Sequence, residues 1–338
     1  MTTSVPSARP RMRFPEIAGV SWEHPADRAA LQSLRAIPGF DDLVRKVISF
    51  LGGERGIRLL FQGNAVRASG VQFPKLWSLQ TEVAGTFDWP KVPELYVSQT
   101  PVFNAGAYGV DDPFIVVHSA ALEMLDDDEL RVLLSHEMGH VVSGHALYRT
   151  IAEILLSVGL AALPILAGIA LFPIRLAILE WARKAELSAD RAGLLGSQDV
   201  VASQRLFMKM AGGTRGQINS GQLSVDAFMV QANEYLASRE GFDAIYKILN
   251  TLGLTHPMNT IRAAELQQWV ASGEYDRILR GEYVRRGSEA ASRPLVDDLS
   301  AAGSHYAAEA REFAGAVADA AKRAAERAAE AFRSAQRR

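Results

Sequence analysis

The chain has 338 residues and is nearly neutral, with 36 lysines and arginines against 38 aspartates and glutamates. Its apolar fraction of 48% is ordinary for a folded core and excludes a chain that is disordered throughout. The balanced charge gives no general attraction to nucleic acid, so we expect no nucleic-acid partner. Cysteine is absent, which excludes disulfides, cysteine-ligated zinc, iron–sulfur clusters and thiol catalysis.

The first part of the chain predicts a loose leader followed by short helices. Residues 1–20 are rich in proline, serine and arginine, and we expect a disordered leader without a secretory signal. Apolar spacing over residues 25–51 predicts two short helices that are broken at Pro38. Residues 60–85 have the pattern of an amphipathic helix.

Two apolar runs in the middle of the chain predict strands. They are Leu95–Val97 and Phe114–Val117, and a turn is expected between them at Asn104–Gly106. Further on, the apolar periodicity predicts only helices. These cover residues 176–196, 201–211, 226–253 and 260–272.

A capping box precedes the most informative motif of the chain. Asp126 and Glu129 have the spacing of such a box, and acidic residues favour the positive end of a helix. A long helix is therefore expected to begin near Asp127. His136 and His140 would then lie on one face of that helix, about 6 Å apart along its axis.

Two histidines at this spacing can bind one zinc ion. Glu137 lies one residue after His136, roughly 100° further around the helix, so it points beside the metal rather than at it. From there it can take a proton from the attacking water and pass it to the leaving amine. The motif HEMGH thus predicts a zinc peptidase, and the alternative is a pair of surface histidines that are spaced by chance.

A catalytic zinc site usually has three protein ligands. In some zinc peptidases a third histidine lies six positions after the second. His145 lies only five positions after His140, so in a continuous helix it would stand about 100° away from such a ligand. Glu186 and Asp190 are the better pair, because they lie four residues apart on a predicted helix. Glu186 would be the third ligand, and Asp190 is placed to bond the outer nitrogen of a ligating histidine. The alternative for this pair is a solvated acidic face.

The string HEMGH, followed 46 positions after His140 by Glu186 within ELSADRAG, resembles the HtpX and CAAX prenyl protease family of zinc metallopeptidases. The pattern of that family is H-E-x-x-H and then E-x-x-x-D. The resemblance covers roughly residues 65–275. Its further matches are Asn104-Ala105, the strand Phe114–Val117 and Thr255-His256-Pro257.

The resemblance implies a role for each of these residues. One zinc ion per chain would be bound by His136, His140 and Glu186. Glu137 would be the catalytic base, and Asp190 would support a ligating histidine. His256 would lie near the metal as a transition-state donor or an occasional fourth ligand, and the alternative is a loop histidine. Asn104 would bind substrate, although Gly106 stands where relatives often carry an aromatic residue.

Phe114–Val117 is the natural candidate for an edge strand, since it comes just before the zinc helix. An extended peptide can bind by adding a strand to an exposed sheet edge. Phe114 and Val116 are therefore expected to bind substrate. The alternative is an ordinary buried strand.

Residues 154–174 contain no charge and are long enough for a transmembrane helix. His140 and Glu186 lie on either side of the segment and must reach the same ion, so the chain has to leave and return on one side. Pro164 divides the segment into arms of about ten residues, each about 15 Å long. We expect an apolar helical hairpin that dips into one leaflet, with two full crossings or burial in protein as the alternatives.

Basic residues lie on both flanks of this apolar segment. They are His145, Arg149, Arg175, Arg183 and Lys184. Because cytoplasmic flanks carry an excess of lysine and arginine, we expect a membrane-associated protein whose catalytic domain faces the cytoplasm.

Together these patterns predict a mainly α fold with a small β-sheet, of the α+β zincin type, with the apolar hairpin inserted between the two zinc motifs. The expected parts are a leader 1–20, an N-terminal helical cap 21–64, a peptidase domain 65–285 with the hairpin at about 150–180, and a linker and Ala/Glu/Arg-rich helical tail 286–338.

The predicted function is a zinc-dependent endopeptidase that cuts polypeptides at or near the membrane, in protein quality control or processing. The alternative is a non-catalytic, zinc-stabilised chaperone-like or interaction module. The narrow alanine seam of the tail suggests self-association, with a solvated single helix as the alternative.

Overall fold

The computed structural model describes residues 11–37, 39–50, 52–157, 165–237 and 257–289. The helices in chain order are α1 (Pro25–Arg35), α2 (Phe40–Phe50), α3 (Gly53–Gln62), α4 (Pro74–Thr86), α5 (Ser119–Met124), α6 (Asp127–Val142), α7 (Ala146–Ser157), α8 (Ile165–Ser197), α9 (Val200–Ala211), α10 (Arg215–Asn219), α11 (Val225–Ala237), α12 (Asn259–Ala271) and α13 (Glu274–Leu279). The strands are β1 (Ala65–Arg67), β2 (Leu95–Ser98), β3 (Ala105–Tyr108) and β4 (Phe114–His118). The prediction of a mainly α fold with a small sheet is confirmed.

The four strands form one sheet in the order β1-β2-β4-β3, in which only the central pair β2–β4 is parallel. The strand β4 is therefore inside the sheet, and its backbone pairs with β2 on one side and β3 on the other. The expectation that Phe114–Val117 is an exposed edge for peptide binding is wrong. Phe114 and Val116 are buried, and neither side of their strand is open to a further strand.

The predicted turn at Asn104–Gly106 is also wrong, because Ala105–Tyr108 is the edge strand β3. Small residues suggested a turn, but pairing with β4 decides the conformation. Similarly, residues 60–85 are not one helix. They contain the end of α3, the strand β1 and the helix α4.

The two faces of the sheet pack against different helices. Side chains of Ala107 and Ile115 point into the main core, which is completed by α4, α6, α8, α9 and α12. Tyr96, Tyr108 and Phe114 point the other way and pack against α3. The sheet thus lies between α3 and the helices that carry the catalytic motif.

The long helix α6 begins as the sequence predicts. Asp126 Oδ1 accepts a hydrogen bond from Glu129 N–H at 3.0 Å, and Glu129 Oε2 accepts one from Asp126 N–H at 2.8 Å. This confirms the capping box. Lys209 on α9 also bonds Glu129 Oε2, at 2.6 Å, so the buried cap is fixed to a second helix.

α6 packs along α8 through small residues. A Cβ on Gly139 would collide with that of Ala192, and one on Gly196 would collide with Ser135. These glycines let the two backbones approach closely, which brings side chains of both helices to one centre.

The N-terminal leader is more ordered than expected. Residues 11–20 are part of the fold, because Phe14 and Ile17 are buried in the core and Ile17 pairs with Arg285. Two apolar residues at a single three-residue spacing, with Pro15 between them, are too few to form a periodic pattern, so the sequence gave no sign of their burial. Residues 1–10 lie outside the described residues.

The apolar segment is described except for residues 158–164, between the end of α7 at Ser157 and the start of α8 at Ile165. The predicted hairpin turn, most of the predicted tail and His256 lie outside the described residues. Among the helices that the structure describes, none has both the length and the apolar run that a membrane span requires.

Candidate active site

α6 and α8 bring three predicted ligands together in the protein interior. His136 Nε2 lies 3.3 Å from Glu186 Oε2, and His140 Nε2 lies 3.4 Å from Glu186 Oε1. One ligand atom from each of the three residues falls within 4.8 Å of the others. Among the described residues, this is the only group of three or more His, Cys, Asp or Glu side chains arranged in this way.

The donor set fits zinc. Imidazole nitrogen and carboxylate oxygen are both zinc ligands, and three protein ligands leave a coordination position for water or substrate. All three side chains are buried, and a buried carboxylate such as that of Glu186 is stable only when it is paired with a cation.

Glu137 lies beside this group rather than in it. Its Oε1 is 3.9 Å from His136 Nε2, and its Oε2 has no hydrogen-bond partner among the described residues. Burial raises the pKa of Glu137, against the opposing charges of Arg149 and His136. A buried carboxylate oxygen with no protein partner is suited to receive a proton from a small polar molecule bound next to it.

Asp190 supports His136, as its spacing predicts. Asp190 Oδ1 lies 3.0 Å from His136 Nδ1. Arg262 on α12 donates to both Asp190 oxygens, at 2.8 and 2.6 Å. Burial lowers the pKa of His136, but Glu186 and Asp190 outweigh burial and raise it to about 9. Arg262 was not predicted, since no local motif marks it.

His140 is supported by different residues. Its Nδ1 lies 3.1 Å from Nδ1 of His145, whose Nε2 lies 3.2 Å from Asp27 Oδ2. Burial and the nearby charge of Arg149 lower the pKa of His140 well below its usual value. His145, which the sequence excluded as a ligand, therefore contacts a predicted ligand instead.

Arg149 on α7 reaches the centre itself. Its Nη1 lies 2.6 Å from His140 Nε2 and also donates to Glu186 Oε1. His145 and Arg149, which were predicted as part of a basic flank of the apolar segment, point to the site: His145 is buried, and Arg149 is half-buried. Arg183 and Lys184 are likewise mostly buried and pair with Glu180.

Comparison with known proteins identifies the family. The model of peptidase family M48 matches residues 71–270. The chain is 34% identical over 276 residues to plastoglobule-localized metallopeptidase 48, chloroplastic, of Arabidopsis thaliana, a match that covers 81% of this chain and 79% of that protein. The chain belongs to peptidase family M48.

Relatives named protease HtpX homolog confirm the resemblance to HtpX. The one from Bifidobacterium longum (strain NCC 2705) is 26% identical over 234 residues, or 60% of this chain and 73% of that protein. The one from Pyrobaculum calidifontis is 25% identical over 221 residues, or 58% of this chain and 60% of that protein. No solved structure gives a significant match. This M48 protein is a metallopeptidase that acts on polypeptides.

One further predicted residue of the M48 peptidase, Asn104, lies next to β3. Asn104 is half-buried just before this strand, and its carbonyl accepts a hydrogen bond from His118 N–H at 3.0 Å. The ring of Tyr108 covers Gly106, with its hydroxyl 2.5 Å from the position that a Cβ would take. An aromatic ring from two positions further on thus covers Gly106.

Proposed function

We propose that this M48 peptidase is a zinc-dependent endopeptidase. His136, His140 and Glu186 would hold one zinc ion, and the single observation that carries this assignment is the meeting of their ligand atoms within 4.8 Å. When bound, zinc supplies a Lewis acid that polarises the substrate carbonyl and makes water acidic enough to attack near neutral pH.

Glu137 would act as the general base and then as the general acid. Its free Oε2 takes a proton from the attacking water and delivers it to the nitrogen of the leaving amine. The raised pKa of the buried carboxyl favours this exchange, because it makes the carboxylate a stronger base, and a pKa closer to the working pH suits a group that both takes and returns a proton.

Arg149 cannot share His140 Nε2 and Glu186 Oε1 with a metal ion, since like charges repel. We therefore propose that its guanidinium moves aside when zinc binds. From a nearby position it can donate a hydrogen bond to the carbonyl oxygen of the substrate.

We propose that the peptide substrate adds to β3 instead of β4. Among the described strands, β3 pairs only with β4, and it packs directly on α6 and α7. Its four residues are buried, so a peptide would pair with this edge only after the neighbouring chain moves aside. Strand addition at this edge would hold an extended peptide next to the α6 motif, with Asn104 at one end of the contact.

Metal analysis combined with a peptidase assay tests the zinc-peptidase proposal. The chain, purified without chelator, should contain about one equivalent of zinc and cleave a casein-like substrate. A chelator should abolish cleavage, and added zinc should restore it. Retention of full activity after complete removal of metal would contradict the assignment.

We further propose that the enzyme acts at a membrane surface through residues 154–174, in protein quality control or processing, with its catalytic domain facing the cytoplasm. The support is the uncharged sequence of this segment and the name of the Arabidopsis relative, which places that protein at plastoglobules. Cell fractionation tests this: recovery as a monomer wholly in the soluble fraction at low salt would contradict it.

A further inference from the structure

We propose that His145 and Asp27 are positioning residues for the metal ligand His140, so that the N-terminal helix α1 completes the metal centre. This inference rests on the proposed zinc site and extends it. Asp27 lies before residue 71, where the family match begins. The centre is therefore not built by the matched region alone.

The contacts form an unbroken buried line from the ligand to α1. His140 Nδ1 is 3.1 Å from His145 Nδ1, and His145 Nε2 is 3.2 Å from Asp27 Oδ2. The exposed fractions of these three residues are 0%, 2% and 1%. Water therefore does not compete for these bonds.

One arrangement of hydrogens satisfies every bond in this line. If His140 binds a metal through Nε2, its Nδ1 carries the hydrogen and donates to His145 Nδ1. His145 Nε2 then carries a hydrogen and donates to Asp27 Oδ2. The outer bond thus fixes the tautomer and the ring orientation that metal binding by His140 requires.

The end of α6 explains how His145 reaches back to His140. Gly144 has a φ of +70°, and His145 N–H bonds the carbonyl of His140 at 2.8 Å. Together with the bond from Gly144 N–H to the carbonyl of Val141, this is a Schellman motif. Helical spacing no longer applies after Gly144, which is why His145 faces the ligand.

Asp27 is held in place from the other side by α8. Ser188 Oγ donates to Asp27 Oδ2 at 2.6 Å and accepts a hydrogen bond from His24 N–H at 2.9 Å. Ser188 lies between Glu186 and Asp190 on the same helix. The start of α1 is therefore fixed to the helix that supplies the third ligand.

The test is the zinc affinity of the full chain, measured by competition with a fluorescent chelator. D27A and H145F each remove a partner from the line, and we expect each to lower zinc affinity by about 10–100-fold. D27N keeps an acceptor oxygen for His145 and should recover most of this loss. The visible spectrum of the Co²⁺-loaded protein should change in D27A and H145F and stay close to the parent spectrum in D27N.

R35Q is the matched control. Arg35 also joins α1 to the rest of the protein, by donating to the hydroxyl of Tyr148 at 2.7 Å, but it does not contact a ligand. We expect R35Q to lower the melting temperature and to leave zinc affinity within about twofold of the parent.

Two results would overturn the inference while the proposed function stands. In the first, the parent binds zinc tightly, and the zinc affinities of D27A and H145F both lie within about twofold of the parent value. In the second, R35Q loses as much zinc affinity as D27A. This would mean that α1 affects the site only by packing against the rest of the protein. A parent chain that binds no zinc would overturn both the proposed function and this inference.

Discussion

The two histidines of the motif lie one turn apart on the same helix, yet their surroundings differ. His136 is supported by a carboxylate that forms a buried ion pair with Arg262. His140 is supported by a second histidine, and the carboxylate of Asp27 lies one residue further out. Helical spacing thus places both proposed ligands on one face but does not make their supports alike.

The difference follows from which helix lies behind each ring. α12 brings a guanidinium to the His136 side, within the family match, whereas α1 brings a carboxylate to the His140 side from outside it. The pKa values of the histidines also diverge, but for a different reason. Burial lowers both; the carboxylates of Glu186 and Asp190 nevertheless raise that of His136 to about 9, whereas the charge of Arg149 lowers that of His140 further.

The largest expected effect comes from Glu137→Gln, which alters neither support. Removing the general base should lower turnover by about 10²–10⁴-fold, while zinc affinity stays at the parent value. Steady-state kinetics and chelator competition measure the two quantities. E123Q, on the exposed surface of α5, is the matched control. Full turnover by Glu137→Gln would contradict the catalytic assignment and favour the non-catalytic interaction module.

Removing Asp190 should destabilise the protein more than removing Asp27. D190A leaves Arg262 as a buried charge without its main partner, which should cost about 3–5 kcal/mol of unfolding free energy. D27A leaves only neutral donors unpaired, which should cost about 1–3 kcal/mol of unfolding free energy. Denaturant unfolding of both variants measures the difference between their unfolding free energies. Equal losses would mean that the two supports are energetically alike.

Gly139→Ala tests the close approach of α6 and α8 that both histidines share. The added methyl would collide with Ala192, and such overpacking should cost about 1–3 kcal/mol. Gly70 is the matched control, because a Cβ there meets open space. Thermal unfolding of G139A and G70A is the measurement. Equal stability of the two variants would mean that the helix contact is loose.

The smallest expected effect is that of Gly144→Ala, and it should fall on one support only. A left-handed alanine costs roughly 1–2 kcal/mol, and relief of this strain would move His145 away from His140. Zinc affinity should therefore fall in G144A and stay unchanged in G70A. An unchanged affinity in both would show that the turn does not direct His145.

Much of the centre could be predicted from local spacing. The capping box places the start of α6, and the four-residue spacings of His136/His140 and Glu186/Asp190 define faces of single helices. Arg262 and Asp27 could not be found in this way. They reach the centre through the packing of α12 and α1, and no local pattern encodes such contacts.

The order of the strands in the sheet could not be predicted from local patterns either. The apolar runs at β2 and β4 are recognisable as strands, but strand order depends on which strands pack beside each other in the fold. The edge strand was therefore assigned to β4, whereas the edge strands among those described are β1 and β3. His145 was excluded as a ligand on helical rotation, although α6 has already ended before it.

The central claim is that zinc binds at His136, His140 and Glu186. An anomalous difference map, recorded at the zinc edge from crystals of the chain purified without chelator, tests it most directly. We predict one peak at about 2.0–2.2 Å from Nε2 of both histidines and from a carboxylate oxygen of Glu186. The absence of a peak there, or a peak at other residues, would contradict the account.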